Sequence, residues 1–157
     1  MPARVDEALA ALRDKLAALE TVVHDTSESA WLRPTVAEGW PVGLVAFHIA
    51  RGFQRQAEFI ERSLQRGIPH HFDWDETNAL NASLAAAHPS PSRGEVVALA
   101  QLSVDRIGKA LSAASDEALA RTAWIFEGRE RDAVWIAGRL ASEHARAHLE
   151  SIAETVG

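Results

Sequence analysis

Apolar positions recur every three or four residues along most of this chain, the signature of helices that bury one face. Val5, Leu9, Leu12, Leu16, Leu19 and Val23 step by four and three and predict a first helix from about Arg4 to His24, closed by Asp25-Thr26-Ser27. A connector with Pro34, Gly39 and Pro41 follows, in which Thr35 and Glu38 have capping-box spacing and predict one short turn. Pro41 suits a first helical position because its φ is fixed. The second helix therefore runs from Pro41 to about Arg66, where Gly67 and Pro69 end it, with Leu44, Val45, His48, Gly52, Phe53, Ile60 and Leu64 on its inner side. Residues 68 to 78 read as a loop and Asn78 to Ala87 as a short helix, broken by Pro89 and Pro91. Ser92 and Glu95 form a second capping-box pair opening a third long helix to about Ala114, with Val96, Leu99, Ala100, Val104, Ile107 and Leu111 inside. Thr122 to Trp135 is the least helical stretch, and the alternation before Glu127-Gly128 predicts a short hairpin-like excursion. A last helix spans about Arg131 to Val156. Four long helices at these lengths predict an all-α four-helix bundle with a short extra helix between helices two and three.

Composition narrows what this bundle can do. With 157 residues the chain reads as one domain spanning residues 1–157, and 47% apolar with 24% charged residues is ordinary for a globular protein. It has no cysteine, which excludes disulfides, thiolate metal sites and a cysteine nucleophile. A transition metal, if bound, must be held by histidine and carboxylate. A net charge of −6 argues against a nucleic-acid partner. No apolar signal core or membrane-length run is present, so the expected location is the cytoplasm with no membrane contact.

His144 and His148 are four residues apart in Ser-Glu-His-Ala-Arg-Ala-His-Leu-Glu, which puts both rings on one helix face, one turn apart. They continue the apolar line of Val134, Ala137, Leu140 and Ala141 towards Ile152. Desolvation disfavours two imidazolium ions in a core, and a metal that takes neutral imidazole resolves the problem. A surface or mutually hydrogen-bonded histidine pair is the alternative. His48 stands within Leu44-Val45-Ala46-Phe47-His48-Ile49-Ala50 on an inward face, where it can complete a three-nitrogen site. Gly52, one turn later, removes a side chain beside that site or permits close helix approach. His70 and His71 read as solvated loop residues, and His24 and His88 as helix-end residues. The five tryptophans read chiefly as packing residues, with Trp74 beside the expected mouth. Glu143 and Glu150 adjoin the histidine pair in sequence but point elsewhere on the helix.

Trp40, His48 about eight residues on, and the His144/His148 pair in the last helix together resemble the DinB/YfiT-like family. The Asp73-Trp74-Asp75-Glu76-Thr77-Asn78-Ala79-Leu80-Asn81 stretch looks like the segment that follows helix two in that family. Pro41 departs from the family's usual Ser or Thr cap, which alters the helix start and not the histidine spacing. The resemblance implies an up-down-down-up bundle and one divalent metal on His48, His144 and His148. It also implies a relation to thiol-dependent S-transferases, among them bacillithiol and mycothiol enzymes, while other members are called metal-dependent hydrolases. The expected cofactor is therefore a divalent transition metal, nickel or zinc by the preference of imidazole, with a low-molecular-weight thiol as cosubstrate. The expected partner is a small-molecule substrate. The competing reading is a non-catalytic metal- or small-ligand-binding bundle, with a homodimer as a candidate assembly.

Overall fold

The computed structural model describes residues 2–157. Four long helices make the frame: α1 (Pro2–Asp25), α3 (Val42–Arg66), α5 (Arg93–Ala113), and α8 (Ala141–Val156), which continues α7 (Ala133–Trp135) through one π-helical turn at Ile136–Leu140. Shorter pieces join them: α2 (Glu28–Trp31), β1 (His70–His71), α4 (Trp74–Ala87), α6 (Asp116–Leu119), β2 (Trp124–Phe126) and β3 (Arg129–Arg131).

Residue pairs along the frame fix its directions. Arg4 pairs with Asp132 at 3.1 Å, while Val22 and Asp25 lie beside Ile152 and Val156, so α1 and the final helix run parallel. Gln101 bonds Glu20 at 2.7 Å and the Arg93 guanidinium donates to the Val23 carbonyl, so α5 runs against α1. His48 meets His148 and Gly52 meets His144, so α3 runs against α8. The topology is up-down-down-up, as expected.

The core between these helices is continuous. Leu12, Leu19, Ile49, Phe53, Ile60, Ile107, Leu111 and Ile152 are almost wholly buried, and each contributes ~1.5–3 kcal/mol of burial free energy relative to full exposure. No helix among the described residues is long and apolar enough to cross a membrane.

Local chemistry explains the helix limits. Ser92 and Glu95 form the expected capping box, each side chain bonding the other residue's backbone N–H. Gly67 adopts φ 66° and ends α3 in a left-handed cap, where a side chain would be strained. Three boundaries differ from the sequence reading. Pro41 is the N-cap of α3 rather than its first helical residue, with extended ψ of 149°. The helix expected from Asn78 begins at Trp74, because the Asp73 side chain accepts the Glu76 N–H. The last helix begins at Ala133, capped by Asp132, because Arg129–Arg131 is drawn into a strand.

The hairpin-like excursion is present: β2 and β3 pair antiparallel about Glu127-Gly128. It acquires a third strand that the sequence did not suggest. β1 pairs parallel with β2, matching His70 to Trp124 and His71 to Ile125. His70 is accordingly not a solvated loop residue. It is 9% exposed and stacks on Phe59 at 3.8 Å between ring centroids. This small sheet brings Phe72 and Trp124 to the flank of α3.

Candidate metal centre

Three imidazoles meet between α3 and α8. The ring centroids of His48, His144 and His148 lie 4.8 Å (His48–His144), 4.6 Å (His48–His148) and 4.7 Å (His144–His148) apart, a nearly equilateral triangle. One ligand nitrogen from each lies within 4.8 Å of the others. His48 Nε2 and His144 Nε2 are 3.1 Å apart. Two nitrogens bound to one tetrahedral zinc at its usual bond length stand ~3.4 Å apart, so this spacing suits a shared ion. Among the described residues no fourth His, Asp or Glu joins the cluster.

Each ring is held by an identifiable device. His48 projects from the apolar stretch of α3, and Trp40 meets it edge-on at 5.7 Å. His144 fills the space that Gly52 leaves: a Cβ on residue 52 would stand 2.6 Å from His144 Cε1 and 2.7 Å from Nδ1. His148 is fixed by Glu38, whose Oε1 lies 2.8 Å from His148 Nδ1, while Ser151 Oγ donates to Glu38 Oε2 at 2.5 Å. A carboxylate only accepts, so Nδ1 of His148 donates to it, which leaves Nε2 as the ring's ligand atom. This carboxylate–histidine pairing is the usual outer support of a metal ligand.

Burial keeps two of the three rings uncharged. Burial, helped by the neighbouring His148, pushes His48 down to about 4. Burial, with His48 and His148 beside it, pushes His144 down to about 3. Both offer lone pairs at neutral pH without first losing a proton. Burial alone would raise Glu38, but hydrogen bonds from Ser151 and His148 outweigh it and hold the carboxyl below its ordinary value. Three imidazole nitrogens, one of them backed by a carboxylate, in a pocket a single added Cβ would fill, fit a borderline divalent metal.

The connector that carries Glu38 does more than the single turn expected of it. Gly39 N–H bonds the Thr35 carbonyl at 3.0 Å and Thr35 Oγ1 donates to the Trp40 carbonyl at 2.9 Å, which sets Glu38 facing α8. Glu143 and Glu150 both bind the Arg146 guanidinium on the outer face of α8, away from the histidines. His24 pairs with Asp25 at the end of α1, and His88 packs on Phe47 at 4.9 Å. Neither approaches the cluster.

A cleft of about 90 Å³ opens beside His48 and His144. Gly52, Phe59, Phe72 and Trp124 shape it, and Arg51 and Arg55 reach it from the next turns of α3. Trp74, exposed at 57%, packs edge-on against Phe72 at 4.9 Å beside this cleft.

Residues 4–152 match the family model of the DinB superfamily. The chain belongs to the DinB superfamily. A crystal structure of the mycothiol-dependent maleylpyruvate isomerase superposes with a TM-score of 0.74 at 15% identity, covering 94% of this chain and 60% of that one. A variant of that enzyme with one histidine replaced by alanine gives a TM-score of 0.73 at the same identity and coverage. This DinB-superfamily chain thus spans about three fifths of the length of these two structures. At such identity the likeness concerns the fold. No curated protein matches the chain in sequence.

Proposed function

We propose that this DinB-superfamily chain is a metal-dependent enzyme that joins a low-molecular-weight thiol to a small electrophilic substrate. His48, His144 and His148 would hold the ion, nickel or zinc. The carrying observation is the convergence of three imidazoles beside an open cleft, with no fourth protein ligand among the described residues. Three protein ligands and a free position are the pattern of catalytic rather than structural sites. When bound, such a metal is a Lewis acid that lowers the pKa of a thiol or water ligand towards neutrality.

The chain's own groups do the rest. Glu38 holds the His148 proton on Nδ1 and so presents Nε2. Gly52 lets His144 approach α3, and Trp40 packs edge-on against His48. Phe59, Phe72 and Trp124 keep the cleft wall apolar, which limits water beside the reacting groups. The thiol must arrive as a cosubstrate because the chain has no cysteine. The fold likeness to a mycothiol-dependent enzyme supports thiol chemistry over hydrolysis.

The test joins elemental analysis of protein purified without chelator to a thiol-transfer screen against electrophiles. One equivalent of nickel or zinc and metal-dependent thiol consumption are expected. Stoichiometric magnesium with no transition metal contradicts the metal assignment. Hydrolysis without thiol consumption contradicts the transfer reaction.

A further inference from the structure

Beside the histidines the cleft carries a second pattern that the metal does not explain. Its lining includes two arginines, Arg51 and Arg55, and no carboxylate. They are four residues apart on α3, so they rise from one face in successive turns. Neither has an ion-pair partner within 4.0 Å among the described residues. Arg51 bonds the neutral side-chain carbonyl of Gln54 instead. Arg55 lies over the Phe59 ring at 5.1 Å, and Glu58 and Glu76 act on it only from a distance.

The buried polar atoms left without a partner concentrate here. Among the described residues there are five: Arg51 Nε, Gln56 Oε1, His70 Nε2, Trp124 Nε1 and Ser142 Oγ. Arg51, Gln56 and Trp124 all line the cleft, and His70 stacks on Phe59, which lines it too. Gln56 and Trp124 are 5% and 8% exposed. A buried polar atom without a partner costs about 1–3 kcal/mol. Such atoms gathered in one cleft mark a place where a ligand supplies the missing bonds. Two of the three on the lining, Arg51 Nε and Trp124 Nε1, are donors, as are the guanidinium nitrogens of Arg55, so while Gln56 Oε1 calls for a donor, the main missing partner is an acceptor. Two unpaired cations beside them make it an anion. The walls are aromatic, and at about 90 Å³ the cleft takes only a small ligand.

We propose that the cleft binds the carboxylate of a small acid with a flat apolar body, the carboxylate on Arg51 and Arg55 and the body against Phe59, Phe72 and Trp124. This rests on the enzyme reading and deepens it by naming its substrate class: the acid's carboxylate is anchored on α3 so that its body lies beside His48 and His144. Arginine suits the task because its planar fork bonds a carboxylate through two parallel N–H groups. The binding itself needs no metal.

That independence shapes the test. The full chain is labelled with ¹⁵N, stripped of metal by chelator and titrated with benzoate or its neutral analogue benzamide. The indole N–H signal of Trp124, assigned with Trp124→Phe, is followed. Benzoate is expected to shift that signal saturably, and benzamide to bind at least tenfold more weakly. Arg51→Gln and Arg55→Gln should each weaken benzoate at least tenfold, and Arg55→Lys should recover part of the loss. His144→Ala should lose metal and keep benzoate. Equal binding of the two probes, no benzoate shift, or wild-type affinity in both glutamine variants overturns the anion site. Because the metal is absent, these outcomes are separate from the metal analysis, which alone decides the histidine site.

Discussion

Gly52 stands one turn beyond His48 on α3, and it is the residue whose missing side chain admits His144: a Cβ there would lie 2.6 Å from the His144 ring. The same gap sets how near α3 and α8 come, so the approach of the helices and the 3.1 Å spacing of His48 and His144 are one geometric fact. Gly52→Ala tests it. Alanine is favoured over glycine inside a helix by ~1 kcal/mol, which offsets part of the clash and keeps the bundle folded. The ring of His144 must swing away, so metal affinity should fall at least tenfold, read by competition with a chromogenic chelator. Wild-type affinity would mean that the ring has another place to stand.

His144→Ala should abolish metal binding and metal-dependent activity while the chain stays folded. The core of four helices extends far beyond the site, through Leu12, Leu19, Ile60, Ile107 and Leu111, none of which needs the ion. This differs from small zinc domains, where metal binding free energy is folding free energy. Circular dichroism melts of metal-free wild type and variant should show cooperative transitions within a few degrees of each other. A metal-free wild type that is unfolded at room temperature would mark the site as structural.

His70 should make the protein acid-sensitive. Burial, with Arg55 and Arg62 nearby, pushes it down to about 4, against an ordinary value of 6.5. The folded state therefore binds fewer protons than the unfolded state between those two values, and stability falls as the pH drops through that window. Above pH 6.5 the residue has no such effect. His70→Phe keeps a ring on Phe59 and cannot titrate. Its melting temperature should fall less than that of wild type between pH 7 and pH 5, by roughly 3 °C or more for a domain of this size. Parallel acid profiles for the two proteins would place the sensitivity elsewhere, with the buried His48 and His144 as the remaining groups.

What the sequence made legible follows from distance along the chain. The long helices announce themselves through periodic apolar residues, and His144 and His148 are close enough to share a face by spacing alone. His48 was readable because a polar ring inside Leu44–Ala50 is conspicuous. Glu38 was not: it is 110 residues from His148 and sits in a polar connector where a glutamate needs no explanation. His70 was misread because its strand is two residues long and exists only through pairing with β2. The π-helical turn at Ile136–Leu140 was invisible because one wider turn barely disturbs the apolar line from Val134 to Ile152. Arg51 and Arg55 escaped notice because charged residues in a helix ordinarily face water, and only the aromatic sheet packed alongside gives them a cleft.

Glu38, which the sequence offered only as a capping-box partner of Thr35, is the residue that fastens His148, so its substitution is the sharpest check on the centre. Glu38→Ala removes the acceptor for His148 Nδ1–H and for Ser151 Oγ, leaving both without their partner. The His148 ring is then free to rotate or to change tautomer, and metal affinity should fall by roughly 10–100-fold, the usual cost of losing such a support. Glu38→Gln separates position from charge. Its carbonyl still accepts from His148 and its amide can donate to Ser151, but the negative charge that makes the imidazole a better ligand is gone. Its affinity should lie between wild type and alanine, and the Nδ1–H resonance of His148 should persist in Gln and vanish in Ala. If both variants bind metal like wild type, Glu38 serves only to fasten the connector to α8. If both lose it equally, the carboxylate's charge rather than its geometry prepares His148.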